Sequence, residues 1–98
     1  MVDITCEFHF QEGFSGETVE VRVDGQLRLK FEAKTRMQLG LARIETLQLQ
    51  SGQLVNIVIA ALGLHQDIPI NPAHHWVTVN IADHTLVVRP VQEAPGYV

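Results

Sequence analysis

The sequence predicts an all-β fold, an antiparallel β-sandwich of about seven or eight short strands, and three observations predict it. Apolar and polar residues alternate through three runs in the first third of the chain. Side chains of a strand point to opposite faces in turn, so each run yields one dry face and one wet face. Turn signals then recur about every 8–12 residues, the rhythm of a sandwich. Finally, Asp24-Gly25 and Asp83-His84 each separate two alternating runs, as hairpin turns do.

The first run sets Ile4, Cys6, Phe8 and Phe10 against Thr5, Glu7, His9 and Gln11, so His9 is expected on the exposed face. The second alternates Val19, Val21 and Val23 with Glu20, Arg22 and Asp24, and the third alternates Leu27, Leu29, Phe31 and Ala33 with charged residues. A two-residue Asp24-Gly25 loop would set Val21 across from Arg28. Opposed residues share a face, so a three-residue Val23-Asp24-Gly25 loop is expected, with Val21 meeting Leu27 and Gly25 left-handed.

Residues 35–42 read as a connection with a short helical turn. Ile44 to Leu49 reads as a strand, bulged near Glu45-Thr46 because Ile44 and the Leu47/Leu49 pair differ in parity. Ser51-Gly52 is a turn. The apolar run of residues 54–62 suggests a central strand covered on both sides, with a buried helix as the alternative. His65 to Ile70 is a short strand that Asn71-Pro72 ends. In the last hairpin an Asp83-His84 loop pairs Ile81 with Leu86 and Val79 with Val88, and both turn residues tolerate positive φ.

The arrangement expected is an immunoglobulin-like or related Greek-key sandwich, with a small jelly roll or barrel as the alternative. Residues 1–92 form one domain and residues 93–98 a tail; 98 residues leave room for a single core. A net charge of −4 argues against nucleic acid as a partner. The longest apolar run, Ile57 to Leu62, is far short of the roughly 20 residues that a helix needs to cross a bilayer, so no membrane insertion is expected. No secretory leader is visible and Cys6 is the lone cysteine, which points to a reducing, cytoplasmic compartment. Cys6, next to Glu7, reads as a buried small hydrophobe rather than a reactive thiol.

Catalytic motifs are missing. Ser15 and Ser51 are the two serines, both beside a turn glycine, and neither lies in a nucleophile elbow. No glycine-rich phosphate loop occurs. The expectation is therefore no enzyme and no cofactor. Five histidines invite a metal reading. His84 sits at a turn roughly 25 Å from His75, given about 3.3 Å per strand residue. That leaves His74 and His75 with Glu93 as the candidate metal ligands, fewer than the four of a typical structural site.

Trp76 shares parity with Thr78 and Asn80, opposite to Val77, Val79 and Ile81. It is either a lid over the sandwich edge or an exposed platform that stacks on a sugar or anchors a partner. Phe14 is expected to plug the end of the core. The functional expectation is a non-catalytic binding module for protein-protein contact or self-association. Its contact surface is placed at Trp76, His74, His75 and the tail with Tyr97. One alternative is a carbohydrate or small-ligand module using Trp76 with Asn80, and the other is a small metal-binding protein using His74 and His75.

Overall fold

Each alternating run closes into a strand with its apolar side turned inward. The computed structural model describes residues 3–96. Its strands are β1 (Asp3–Phe10), β2 (Ser15–Val23), β3 (Gln26–Lys34), β4 (Arg43–Gln50), β5 (Leu54–Ile59), β6 (Leu64–Pro69), β7 (Trp76–Ala82) and β8 (Thr85–Val91). They form two four-stranded sheets, ordered β4-β1-β7-β8 and β3-β2-β5-β6. The sheets remain open, so the fold is a β-sandwich and not the barrel alternative. β4 returns to lie antiparallel beside β1, and β7 flanks β1 on the other side in parallel.

One core lies between the sheets. Ile4, Cys6, Phe8 and Phe10 of β1 meet Val19, Val21 and Val23 of β2, Val55, Ile57 and Ile59 of β5, and Val77 and Val79 of β7. Phe14 seals one end, edge-on to Phe10 at 6.1 Å between centroids. Phe31 packs against Phe10 on the β3 side, and the Arg43 guanidinium lies 4.6 Å from the Phe31 ring centroid, bridging the two sheets at the β3/β4 side. Cys6 is fully buried. Burial, with the Glu7 carboxylate nearby, pushes its thiol up to about 11, so it is protonated and inert at neutral pH.

His9 is buried rather than exposed. It holds the outward parity expected of it, but β1 is a central strand, and the register sets Ile44 and Thr78 on either side of the imidazole. Its Nε2 lies 3.0 Å from Glu7 Oε1. Burial without a partner would be costly, and the carboxylate supplies one.

The first hairpin also departs from expectation. Asp24 (φ 48°) and Gly25 (φ 83°) form the turn alone, so Val23 pairs with Gln26 and Arg22 with Leu27. The face mismatch is repaired one step later. A bulge makes Arg28 the extra residue, and beyond it Val21 meets Leu29 and Val19 meets Phe31. Leu27 is left on the outer face, 48% exposed. The last hairpin forms as expected, Ile81 opposite Leu86 and Val79 opposite Val88, with Asp83 and His84 both left-handed.

Two further elements differ. β4 pairs with β1 through all eight residues without a bulge, so Ile44 keeps its parity and points outward. The apolar run of residues 54–62 is not one doubly covered strand. β5 stops at Ile59, a 3₁₀ turn follows over Ala60–Leu62, and left-handed Gly63 ends it. Only Val55, Ile57 and Ile59 are buried there; Leu54 and Leu62 are exposed, because β5 has solvent on its outer side.

Candidate interaction surface

The β1–β2 loop, residues 11–14, is held to both sheets. On the β7 side the Glu12 N–H donates to Asn80 Oδ1 (2.8 Å), Asn80 Nδ2 donates to Gln11 Oε1 (2.9 Å), and the Ile81 N–H donates to Glu12 O (2.9 Å). On the β3 side Thr35 Oγ1 donates to Gln11 O (2.7 Å) and accepts the Phe14 N–H (3.0 Å). Gly13 lies so close to β7 that a Cβ there would collide with the Ile81 carbonyl oxygen, and its φ of 92° suits glycine. Packing and polar contacts together fix this loop.

The connection between β3 and β4 folds beside it. Arg36 and Leu41 form an isolated antiparallel bridge, and the N–H groups of Leu39 and Gly40 both donate to Arg36 O. Residues 35–42 are thus a connection, as expected, and their short turn spans residues 37–40 inside the Arg36–Leu41 bridge. It leaves its apolar side chains outside: Met37 is 96% exposed and Leu39 38% exposed, and Ile44, just beyond, is 43% exposed. Between this turn and the β1–β2 loop opens a cleft of about 480 Å³. Phe14 and Met37 give it apolar walls, and Glu12, Lys34, Ser15 and Thr35 add polar atoms. The Thr35 hydroxyl is already committed, and no histidine or cysteine lines the cleft.

The residues singled out from sequence fall at two ends of β7. Trp76 is half-buried, and the unbroken alternation from Trp76 to Asn80 sets it on the outer face, in register with Glu7 and Val91. His75 is exposed, its ring edge-on to Trp76 at 5.9 Å, and its carbonyl accepts the Glu7 N–H. His74 belongs to an Asn71-Pro72-Ala73-His74 turn, in which Asn71 Oδ1 accepts the Ala73 N–H. Asn80 lies four residues from Trp76, roughly 13 Å along the strand. Its amide serves the β1–β2 loop. Tyr97 lies outside the described residues. Among the described residues no group of three or more His, Cys, Asp or Glu side chains is placed to hold a metal ion, and His74, His75 and Glu93 do not form one. Nor is any helix there long and apolar enough to cross a membrane.

Sequence reasoning missed the cleft because its walls come from segments without periodicity. The one available signal was Met37 and Leu39 inside a turn that Gly40 closes, where polar residues are the rule. No family model, no curated protein and no solved structure matches the chain.

Proposed function

We propose that the chain is a non-catalytic β-sandwich module that binds a protein partner through the sandwich end formed by the β1–β2 loop and the turn of residues 36–41. The observation that carries this reading is Met37, 96% exposed on the wall of a 480 Å³ cleft. Burying a methionine side chain contributes about 1.5–3 kcal/mol, so a partner that covers it gains directly. The cleft falls in the range of about 300–1,000 Å³ typical of sites that take a ligand group. Its rigid floor suits a side chain inserted from outside, since little ordering cost remains. A buried, inert Cys6 fits a reducing, cytoplasmic setting.

The experiment is selection from a displayed random-peptide library, followed by titration calorimetry. Peptides with an apolar anchor residue are expected, shifting amide resonances of residues 12–15 and 34–41. Met37→Glu should weaken their binding about tenfold or more. Its stability should stay within about 0.5 kcal/mol of the parent, because the side chain touches solvent almost entirely. Selected peptides whose affinity ignores Met37→Glu, or a library that yields none, overturns the reading.

A further inference from the structure

Four strand edges are exposed by two open sheets, and three carry protection. β3 has the Arg28 bulge and a row of Lys and Glu side chains, β6 has Pro69, and β8 has Pro90. Bulges, charges and prolines all hinder the addition of a further strand. β4 has no proline and no bulge over its eight residues.

The hydrogen-bond parity shows which of its backbone groups are free. The N–H groups of Glu7 and Gln11 go to His75 O and Val79 O, so the odd residues of β1 face β7 and the even ones face β4. In an antiparallel ladder the partners of those odd residues turn their own N–H and C=O away. They are Ile44, Thr46, Gln48 and Gln50. Gln50 is occupied at both groups and Gln48 at its carbonyl. Arg28 Nη2 donates to Gln48 O at 3.4 Å, Gln53 Oε1 accepts the Gln50 N–H, and the Gln53 N–H donates to Gln50 O. Among the described residues nothing covers the outward groups of Ile44 and Thr46.

We infer that this stretch pairs with the same stretch of a second copy. The inference rests on reading the chain as an interaction module and names one partner for it. An antiparallel two-fold pairing centred on Glu45 sets Ile44 opposite Thr46 of the second copy and Thr46 opposite its Ile44. Each such pair exchanges two main-chain hydrogen bonds, four in all. The outward groups of Ile44 and Thr46 are thus all used, and Gln48, whose carbonyl Arg28 holds, and the doubly bonded Gln50 are not called on. This self-match is what selects a second copy over an unrelated strand. Glu45 meets its own equivalent on the axis, where like charges would repel. Each carboxylate is already held by Arg43 Nε at 2.5 Å, which neutralises the pair. The product is one continuous eight-stranded sheet, and the two-fold axis closes the assembly at two copies.

The test is sedimentation equilibrium of the full chain from about 10 µM to about 1 mM, a range suited to a small interface. A monomer–dimer equilibrium is expected, with amide exchange at Ile44 and Thr46 slowing as dimer accumulates. Thr46→Pro removes an outward N–H, costs no bond to β1, and should raise the dissociation constant about tenfold or more. Ile44→Lys, at an outward side chain that is 43% exposed, is the second variant. It should weaken the dimer likewise, and it still tests the pairing if the proline variant fails to fold. A chain that is monomeric at about 1 mM overturns the inference. So does a dimer indifferent to both variants, or an assembly that grows beyond two copies. Peptide binding at Met37 is read separately, so a monomer that still binds selected peptides defeats the pairing and leaves the module standing.

Discussion

Two connections of the sandwich are built in opposite ways. The β1–β2 loop is secured from a distance: its bonds with Asn80 span 69 and 68 residues of sequence, and those with Thr35 span 24 and 21. The β6–β7 connection is anchored at its ends, where Ile70 bonds to Gly52 and Gln53 and the His75 carbonyl accepts the Glu7 N–H, but its middle, residues 71–74, secures itself. Asn71 and His74 bond across three residues, and Asn71 and Ala73 across two. The first loop is therefore as stable as the sandwich that holds it, and it can serve as a rigid wall of the cleft. The largely exposed middle of the second, residues 71–74, can open without disturbing the sheets, since its bonds are to itself. A binding surface that must keep its shape belongs on the first kind of loop, which is a reason to move the proposed contact from the His74–Trp76 end to the Met37 end.

The largest blow to this contrast comes from Gly13→Ala. The new Cβ meets the main chain of Ile81, which cannot step aside, and the residue must keep a φ of 92°. Overpacking and backbone strain together should cost about 3–5 kcal/mol. Chemical denaturation would read this as a lower midpoint with an unchanged slope. Ala at Gly16, whose positive φ of 102° faces open space, is the control that isolates the contact from the strain. Equal losses at both positions would mean that Gly13 is chosen for its dihedral alone.

A smaller effect is expected from Asn80→Ala. It removes the acceptor of the Glu12 N–H and the donor to Gln11 at once. Both bonds are partly open to water, so the cost should be about 1–2 kcal/mol rather than the full penalty of a buried orphan. The informative readout is local. Amide exchange should speed up at Glu12 and Phe14, and peptide affinity at the cleft should fall although Asn80 does not line it. Unchanged exchange at Glu12 would show that Gly13 packing and Thr35 suffice to hold the loop.

The same contrast explains what could be read from the sequence. Alternation placed Ile4, Cys6, Phe8, Phe10, Val77 and Val79 in the core, because parity is a local property that pleating converts directly into burial. The β7–β8 register followed from two turn residues and the apolar pairing beyond them. Parity misled where a tertiary choice intervened. The β2–β3 hairpin could restore its register by a longer loop or by a bulge after a short one, and both satisfy the same pattern. His9 obeyed its parity, yet its burial depends on which strands flank β1, and β4 and β7 set Ile44 and Thr78 beside it. The cleft lay further out of reach. Asn80 reads locally as a polar position on a strand, and nothing near it announces a partner at Gln11.

The gentlest prediction concerns the self-secured connection. Asn71→Ala deletes the side-chain oxygen that accepts the Ala73 N–H, while the main-chain bond from His74 N to Asn71 O survives. The turn is exposed, and Pro72 still restricts it from within. Global stability should fall by no more than about 0.5 kcal/mol. The change should appear close by: His75 abuts Trp76, the lone tryptophan of the chain, so the indole emission reports on this end without interference. A shifted emission with an unaltered Glu12 exchange rate is the expected pair of results. If Asn71→Ala instead costs as much as Asn80→Ala, the two connections are not of different kinds. The His74–Trp76 end would then share the rigidity of the cleft and compete with it again as the place where a partner docks.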